Sequence, residues 1–224
     1  MSVDELASLF DQLSERMRRT ALTHSSWTEQ RTDSYGRLAF LGDSVLGLAV
    51  AEDIFSRFPR SDIGRLTKVH GQAVSGRACA GVAEALGVRE RLRELAPEGP
   101  ESIDVSQLLD SERAMASIAE AVIGACYLEH GYERTAAATV AAFEPEIELA
   151  TETVLDFKSA LQERLARRGV RVTYAVVREA GPPHDRSFDV EARVEGESAG
   201  SGSGRSKKAA EQAAAAQALE RLDA

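Results

Sequence analysis

The stretch Arg37-Leu-Ala-Phe-Leu-Gly-Asp-Ser-Val-Leu46 places one aspartate, Asp43, in the middle of an otherwise apolar helical run. A buried carboxylate is costly unless it is paired or bound to a metal, so we expect Asp43 to be partly buried and to have a partner. A second apolar run, Ala119-Glu-Ala-Val-Ile-Gly-Ala-Cys-Tyr127, holds Glu120 in the same isolation. An arginine or backbone donors could explain each acid alone, but the two together suggest a shared cation.

Both runs lie in a part of the chain whose pattern is helical. Apolar residues recur at three- and four-residue intervals in segments rich in Ala, Leu and Glu. This spacing predicts helices over residues 4–19, 38–57, 66–86, 111–130 and 133–149. The longest irregular piece is expected at residues 97–109. Residues 1–150 are therefore predicted to form a helical bundle, followed by a short linker at residues 151–155.

The pattern changes at residue 156. A helix of about fourteen residues is followed by three segments with strand-like alternation, at 170–178, 188–194 and 197–204, and by an Ala-rich helix at 206–222. The order is α-β-β-β-α. Two prolines stiffen the loop at 181–186 and place His184 at its tip. Lys207 and Lys208 fall on the first turn of the last helix, where they oppose the helix dipole. This feature alone fits a phosphate partner and a solvated pair of charges equally well.

Charge is distributed unevenly along the chain. The net charge of −9 argues against a polyanionic partner, but residues 155–224 carry 12 Lys and Arg against 11 Asp and Glu. The first 154 residues therefore hold a net charge of −10. No apolar run is long enough to span a membrane, and the N-terminus lacks the pattern of a secretory signal, so we expect a cytoplasmic protein. Cys79 and Cys126 show no metal-ligand spacing and are expected to be buried, reduced thiols.

The segments DFKSALQERLARRGV, GPPHDRSFDVEARV and GSGRSKKAAEQAAAAQAL together resemble a double-stranded RNA-binding domain along its whole length. The resemblance implies that Gln162 and Glu163 lie at 2′-hydroxyl groups and that His184 enters a second minor groove. It places the start of the last helix on phosphates of the intervening major groove, through Ser206, Lys207 and Lys208. We expect the core of this domain to include Leu161, Phe188 and Ala210.

The two acidic runs, together with Ala21-Leu-Thr-His-Ser-Ser26 and Gly64-Arg-Leu-Thr67, resemble the endonuclease domain of the ribonuclease III family. The resemblance implies an all-α ribonuclease III-type endonuclease domain at 1–150, followed by a small α+β double-stranded RNA-binding domain at 156–224. It further implies a homodimer that cuts both strands of duplex RNA with Mg²⁺, for which Mn²⁺ can substitute. The products would carry 5′-phosphate and 3′-hydroxyl ends, and the substrates would be ribosomal and other structured precursor RNAs.

The resemblance makes Asp43 and Glu120 the catalytic metal ligands, but half of the family's acidic set is missing. Ala39 and Ser117 stand where the family has acids, although the Ser117 hydroxyl could still contribute to the metal site. Phe40 is expected to project into a pocket of the second subunit. Because Mg²⁺ is commonly held by one or two carboxylates with waters and substrate phosphates, the pair could suffice for one ion. The alternative is a cleavage-impaired dimer that binds duplex RNA.

Overall fold

The computed structural model describes residues 3–59, 61–97, 105–154, 157–181 and 186–223. The chain forms two compact units, Met1–Ile147 and Glu148–Ala224. The first unit is helical, and the second combines helices with a three-stranded sheet. The fold class predicted from the sequence is therefore confirmed.

Between Asp4 and Val154 the described residues form nine α-helices. They are α1 (Asp4–Asp11), α2 (Glu15–Leu22), α3 (Gly36–Arg57), α4 (Ile63–Ala73), α5 (Gly76–Ala85), α6 (Val88–Leu95), α7 (Val105–Leu109), α8 (Glu112–His130) and α9 (Tyr132–Val154). Two single-turn 3₁₀ helices, Ser25–Trp27 and Arg31–Asp33, lie between α2 and α3.

Two of the predicted helices are each divided in two by a serine cap. The Ser14 hydroxyl accepts a hydrogen bond from the Met17 amide at 3.3 Å and starts α2. Ser75 does the same for α5, through the Ala78 amide at 3.3 Å. A side-chain acceptor at this position satisfies one of the amides that a new helix leaves without a partner, so each helix restarts there.

Other boundaries also differ from the prediction. Helices α6 and α7 were not predicted, and α7 occupies part of the expected irregular piece at 97–109. Helix α9 continues past Pro145 to Val154, so residues 151–154 of the expected linker are helical. The domain boundaries at 150 and 156 remain predictions.

The core of the first unit is built around α8. Ten of its nineteen residues are buried, so helices must pack against it on several sides. Helix α3 packs along it, and α5 packs beside it. Leu46 of α3 and Ile118 and Ile123 of α8 are fully buried at this centre. Both cysteines are buried and free of disulfides, as predicted.

The second unit has the predicted α-β-β-β-α order. Its elements are α10 (Phe157–Ala166), β1 (Val172–Ala180), β2 (Ser187–Val194), β3 (Glu197–Gly204) and α11 (Lys207–Asp223). The strands form an antiparallel sheet in the order β1-β2-β3. The β2–β3 turn has φ values of 53° at Glu195 and 87° at Gly196, the two positive φ angles of a tight hairpin turn.

Glycines on alternate positions of β3 bring α11 directly onto the strand. A Cβ atom at Gly202 would lie 2.3 Å from the Ala214 amide nitrogen, and one at Gly200 would lie 2.4 Å from the Ala214 carbonyl oxygen. Ala210, Ala214 and Ala218 are completely buried on the facing side of α11. Leu161 and Phe188 are also buried, so the predicted core residues of this unit are confirmed.

Candidate active site and nucleic-acid interface

Helices α3 and α8 cross at two glycines, where main chain meets main chain. A Cβ atom added to Gly42 would lie 1.7 Å from the Glu120 carbonyl oxygen, and one added to Gly124 would lie 2.3 Å from the Leu38 carbonyl oxygen. Neither helix could carry a larger residue at these points without moving away. Asp43 follows Gly42 directly, so it lies one residue from the main-chain contact with Glu120.

The two acids differ in their exposure to solvent. Glu120 is half-buried on the central helix, whereas Asp43 is exposed. The expectation that Asp43 would be partly buried was wrong. The apolar neighbours along its helix face the core, but Asp43 itself points away from them, as the 3.6-residue helical period allows.

The charge of Asp43 influences the ionisation of Glu120. Burial, followed by the negative charge of Asp43, raises the pKa of Glu120 to about 7. Cys79 of α5 responds to both acids as well, because burial and then the charges of Glu120 and Asp43 raise its pKa to about 12. The thiol therefore stays protonated and neutral beside the pair. The sequence did not indicate this position for Cys79, because no motif connects α5 with the acidic runs.

Among the described residues, Asp43 and Glu120 are the only acids of this site. In the described parts of the chain, no three His, Cys, Asp or Glu residues lie close enough together to hold a metal ion. Ala39, one helical turn before Asp43, is buried, and Ser117, one turn before Glu120, is half-buried. The contribution of the Ser117 hydroxyl to a metal site remains a prediction.

Exposed apolar side chains follow one face of α3. Phe40 is 79% exposed, Phe55 is 69% exposed and Leu48 is 51% exposed. Their spacings of eight and seven residues place them on the same side of the helix. Phe40 projects outward, as expected for a residue that enters a second subunit, although its role in a dimer remains a prediction.

The predicted RNA-binding residues of the second unit lie on its surface where they are described. Gln162 and Glu163 are exposed on α10, and Lys207 and Lys208 are exposed on the first turn of α11. The Ser206 hydroxyl accepts a hydrogen bond from the Ala209 amide at 3.1 Å, so it acts as the N-cap of α11. His184 lies outside the described residues.

Both lysines make contacts within the chain. The Lys207 ammonium lies 5.6 Å from the centroid of the Phe188 ring. Lys208 forms an ion pair with Glu152. The Glu152 carboxylate therefore occupies a position beside Lys208 that a phosphate group could take.

No helix in the described residues is both long and apolar enough to cross a membrane.

The fold and these sites define a class of protein with a helical unit that carries two acids at a helix crossing and a second unit in which a three-stranded antiparallel sheet packs against a terminal helix. Comparison with known families gives a match for each of the two units. Residues 14–144 match the family model described as ribonuclease-III-like, and residues 157–222 match the double-stranded RNA binding motif. The chain belongs to the ribonuclease III family of double-strand-specific endoribonucleases.

Individual relatives match nearly the whole chain. Ribonuclease 3 of Syntrophotalea carbinolica is 39% identical over 210 residues, which cover 91% of this chain and 88% of that protein. Ribonuclease 3 of Streptomyces coelicolor is 38% identical over 209 residues, covering 91% and 74% of the two chains. The solved nuclease domain of ribonuclease III from Campylobacter jejuni is 25% identical, with a TM-score of 0.54, and covers 65% of this chain and 98% of its own.

Proposed function

We propose that the protein hydrolyses both strands of duplex RNA with Mg²⁺ held by Asp43 and Glu120, and that it leaves 5′-phosphate and 3′-hydroxyl ends. The observation that supports the proposal is the glycine crossing of α3 and α8, which sets the residue before Asp43 against the main chain of Glu120 in a chain of this family. Mn²⁺ is proposed as an alternative ion, since carboxylate ligands also suit it.

The donor set fits one divalent cation. Burial, and then the negative charge of Asp43, raise the pKa of Glu120, and a bound cation would favour its ionised form. Mg²⁺ prefers oxygen ligands and usually keeps several waters when one or two carboxylates hold it. Asp43, being exposed, leaves one side of such an ion open to water and to the phosphates of a substrate.

The residues of the chain have distinct roles in this proposal. The chemistry supplied by the ion is activation of the attacking water and neutralisation of the charge that develops in the transition state. Glu120, held by the central helix, fixes the site relative to the core. Ser117, one turn away, offers a hydroxyl that can hold a water molecule. Ala39 offers no polar atom, so we expect slower cleavage or a higher metal requirement than four acids would give.

A second candidate function is a dimer that binds duplex RNA but cleaves it poorly. One observation favours it, namely that the described residues bring no third acid to the pair. Both candidates predict duplex binding, and cleavage distinguishes them.

The deciding experiment incubates a long RNA duplex with the purified protein and Mg²⁺ or Mn²⁺. We expect slow cleavage, a loss of about 100-fold in Glu120→Gln and no loss in Glu112→Gln, which changes an exposed acid on the same helix. Ala39→Glu combined with Ser117→Asp should lower the metal concentration that is required. Cleavage by the double variant alone would establish the second candidate. Equal cleavage by the natural protein and Glu120→Gln would refute the assigned site.

We further propose that the protein acts as a cytoplasmic homodimer on ribosomal and other structured precursor RNAs. The exposed apolar face of α3 supports a dimer, because such a face is normally covered by a partner. The nuclease domain of Campylobacter jejuni ribonuclease III shows structural flexibility in a region involved in its own dimer formation. Both the substrates and the compartment are proposed from membership of the family.

A further inference from the structure

A second concave site lies in the first unit, on residues that the proposed cleavage chemistry does not use. It is a cavity of about 290 Å³ between α2, the two 3₁₀ turns and the end of α6. The side chains that matter for its chemistry are Arg16, Arg19, Trp27, Asp33 and Leu95. We call this cavity the Arg16–Trp27 pocket.

The pocket carries an excess of positive charge. Arg16 and Arg19 are exposed and lie three residues apart on α2, so they share a face of that helix. None of the ion pairs of the described residues involves the guanidinium group of Arg16 or Arg19. By contrast, most of the arginines of this unit that do form an ion pair have a carboxylate oxygen within 3 Å. Asp33 is the only acid among the described residues that line the pocket. Two guanidinium groups in an otherwise acidic unit are well suited to hold a phosphate.

The pocket is also lined by an aromatic residue, Trp27, whose position is fixed by local contacts. Trp27 ends a single 3₁₀ turn in which its amide donates to the His24 carbonyl oxygen at 2.9 Å. His24 caps this turn, because its Nδ1 accepts from the Ser26 amide at 3.1 Å. The His24 ring also contacts the indole edge-on, with ring centroids 6.2 Å apart. These contacts orient the Trp27 ring, and Leu95 extends the apolar surface beside it.

We propose that the Arg16–Trp27 pocket binds a single nucleotide. The base would stack on Trp27 and the phosphate would bind Arg16 and Arg19, while Asp33 accepts hydrogen bonds from a ribose hydroxyl or a base amino group. A bare phosphate would use the arginines but would leave the aromatic surface and Asp33 without a role. The volume of about 290 Å³ lies just below the usual range of about 300–1,000 Å³ for small-molecule sites, so the pocket has room for one nucleotide at most.

The same chemistry is offered by a free nucleotide and by an unpaired nucleotide of an RNA strand. Stacking of an unpaired base on an aromatic ring, with arginines on the backbone, is a general mode of single-strand recognition. Occupation by an RNA strand would make the nuclease unit sensitive to unpaired positions in its substrate. The site depends on neither the metal nor the carboxylate pair, so it stands apart from the proposed cleavage chemistry.

Trp27 is the only tryptophan of the chain, so its fluorescence reports on this pocket directly. We expect AMP to quench it saturably after correction against N-acetyltryptophanamide, and inorganic phosphate to compete. Arg16→Gln combined with Arg19→Gln should weaken AMP binding by about tenfold or more, because charge-assisted hydrogen bonds are lost. Arg18→Gln is the matched control, since Arg18 belongs to the same helix but lines a different cavity.

A second pair of titrations separates the two sources of the nucleotide. The ligands are a blunt RNA duplex and the same duplex with an unpaired extension, each added to Glu120→Gln in buffer without metal. Stronger quenching by the extended duplex identifies an RNA strand as the occupant, and equal responses identify a free nucleotide. The proposal is overturned if AMP gives no saturable quenching, or if the double variant and Arg18→Gln bind it equally well. Neither result depends on whether the protein cleaves RNA.

Discussion

At the scale of single residues, Glu120 shows how a functional group can oppose stability. Its carboxyl group is half-buried on the central helix and faces the charge of Asp43, and its pKa is raised to about 7 from the ordinary value of 4.5. Between pH 4.5 and 7 the folded protein therefore keeps a proton that the unfolded chain has released. The free energy of unfolding falls as pH rises through this window, and the full penalty applies above it.

Glu120→Gln should therefore stabilise the metal-free protein at high pH and not at low pH. We expect a gain in the free energy of unfolding of about 1–2 kcal/mol at pH 8, reduced for solvent screening of a partly exposed group, and a gain near zero at pH 4. Urea denaturation in the presence of a chelator measures both values. Glu29→Gln, at an exposed position outside the pair, is the control. An equal gain at both pH values would show that ionisation of Glu120 is not the cause.

At the scale of secondary-structure elements, the positions of the two acids depend on close contact between helices. The α3–α8 crossing admits no Cβ atom at Gly42, whereas Gly81 of α5 has no atom within 4 Å of the position where a Cβ would stand. Both glycines lie inside helices, so each carries the same cost in backbone conformational entropy on folding. The two positions differ only in the atoms that surround them.

Gly42→Ala and Gly81→Ala should accordingly change stability in opposite directions. We expect Gly42→Ala to lower the free energy of unfolding by about 3 kcal/mol or more, because main chain cannot yield to the new methyl group. Gly81→Ala should raise it by about 0.5–1 kcal/mol through the greater helix propensity of alanine. Denaturant unfolding of both variants tests this. A mild effect of Gly42→Ala would mean that the two helices can separate at low cost.

Many of the secondary-structure elements could be predicted from the sequence, and the features that were missed have identifiable causes. Helical and strand periodicity predicted the α-β-β-β-α unit and the long helices, because burial on one face leaves a clear pattern. The breaks at Ser14 and Ser75 were missed, since a serine cap interrupts a helix without changing the apolar spacing. The acids Asp43 and Glu120 could be singled out, but the exposure of Asp43 depends on which face of α3 meets α8. The Arg16–Trp27 pocket was missed because its residues come from separated segments.

At the scale of the whole molecule, the uneven distribution of charge bears on where duplex RNA can bind. The first 154 residues carry a net charge of −10, so phosphate contacts must come from local groups of basic residues. Lys207 and Lys208 stand at the start of α11, where the free backbone amides also favour an anion. One of them, Lys208, is already paired with Glu152.

Lys207→Ala combined with Lys208→Ala should weaken duplex binding without changing which duplexes are preferred. We expect the slope of log affinity against log salt to decrease in magnitude by about 2, one for each phosphate contact that is lost. Filter binding at several salt concentrations measures this slope. Glu152→Gln should act in the opposite direction, because it removes the carboxylate that competes for Lys208. An unchanged slope in the double variant would remove these lysines from the RNA interface.

Dimer formation is the other property of the whole molecule that the structure makes testable. Phe40→Ala should weaken self-association by about 30-fold or more, the effect of truncating a central aromatic anchor in an interface. Sedimentation at several protein concentrations gives the dissociation constant. Ile63→Ala is the matched control, since Ile63 is 80% exposed but belongs to α4 and not to the apolar face of α3. An equal effect of the two variants would show that this face is not the contact.

The glycine crossing of α3 and α8 also bears on how this protein can change over evolutionary time. Most protein interiors change over evolution when one buried side chain is replaced by another of different size. At this crossing the contact is between main-chain atoms of both helices, so no side-chain replacement can adjust it. The position of Asp43 relative to Glu120 should therefore persist while the residues around them are replaced. Acids introduced at Ala39 and Ser117 would therefore stand on helices whose relative position is already set.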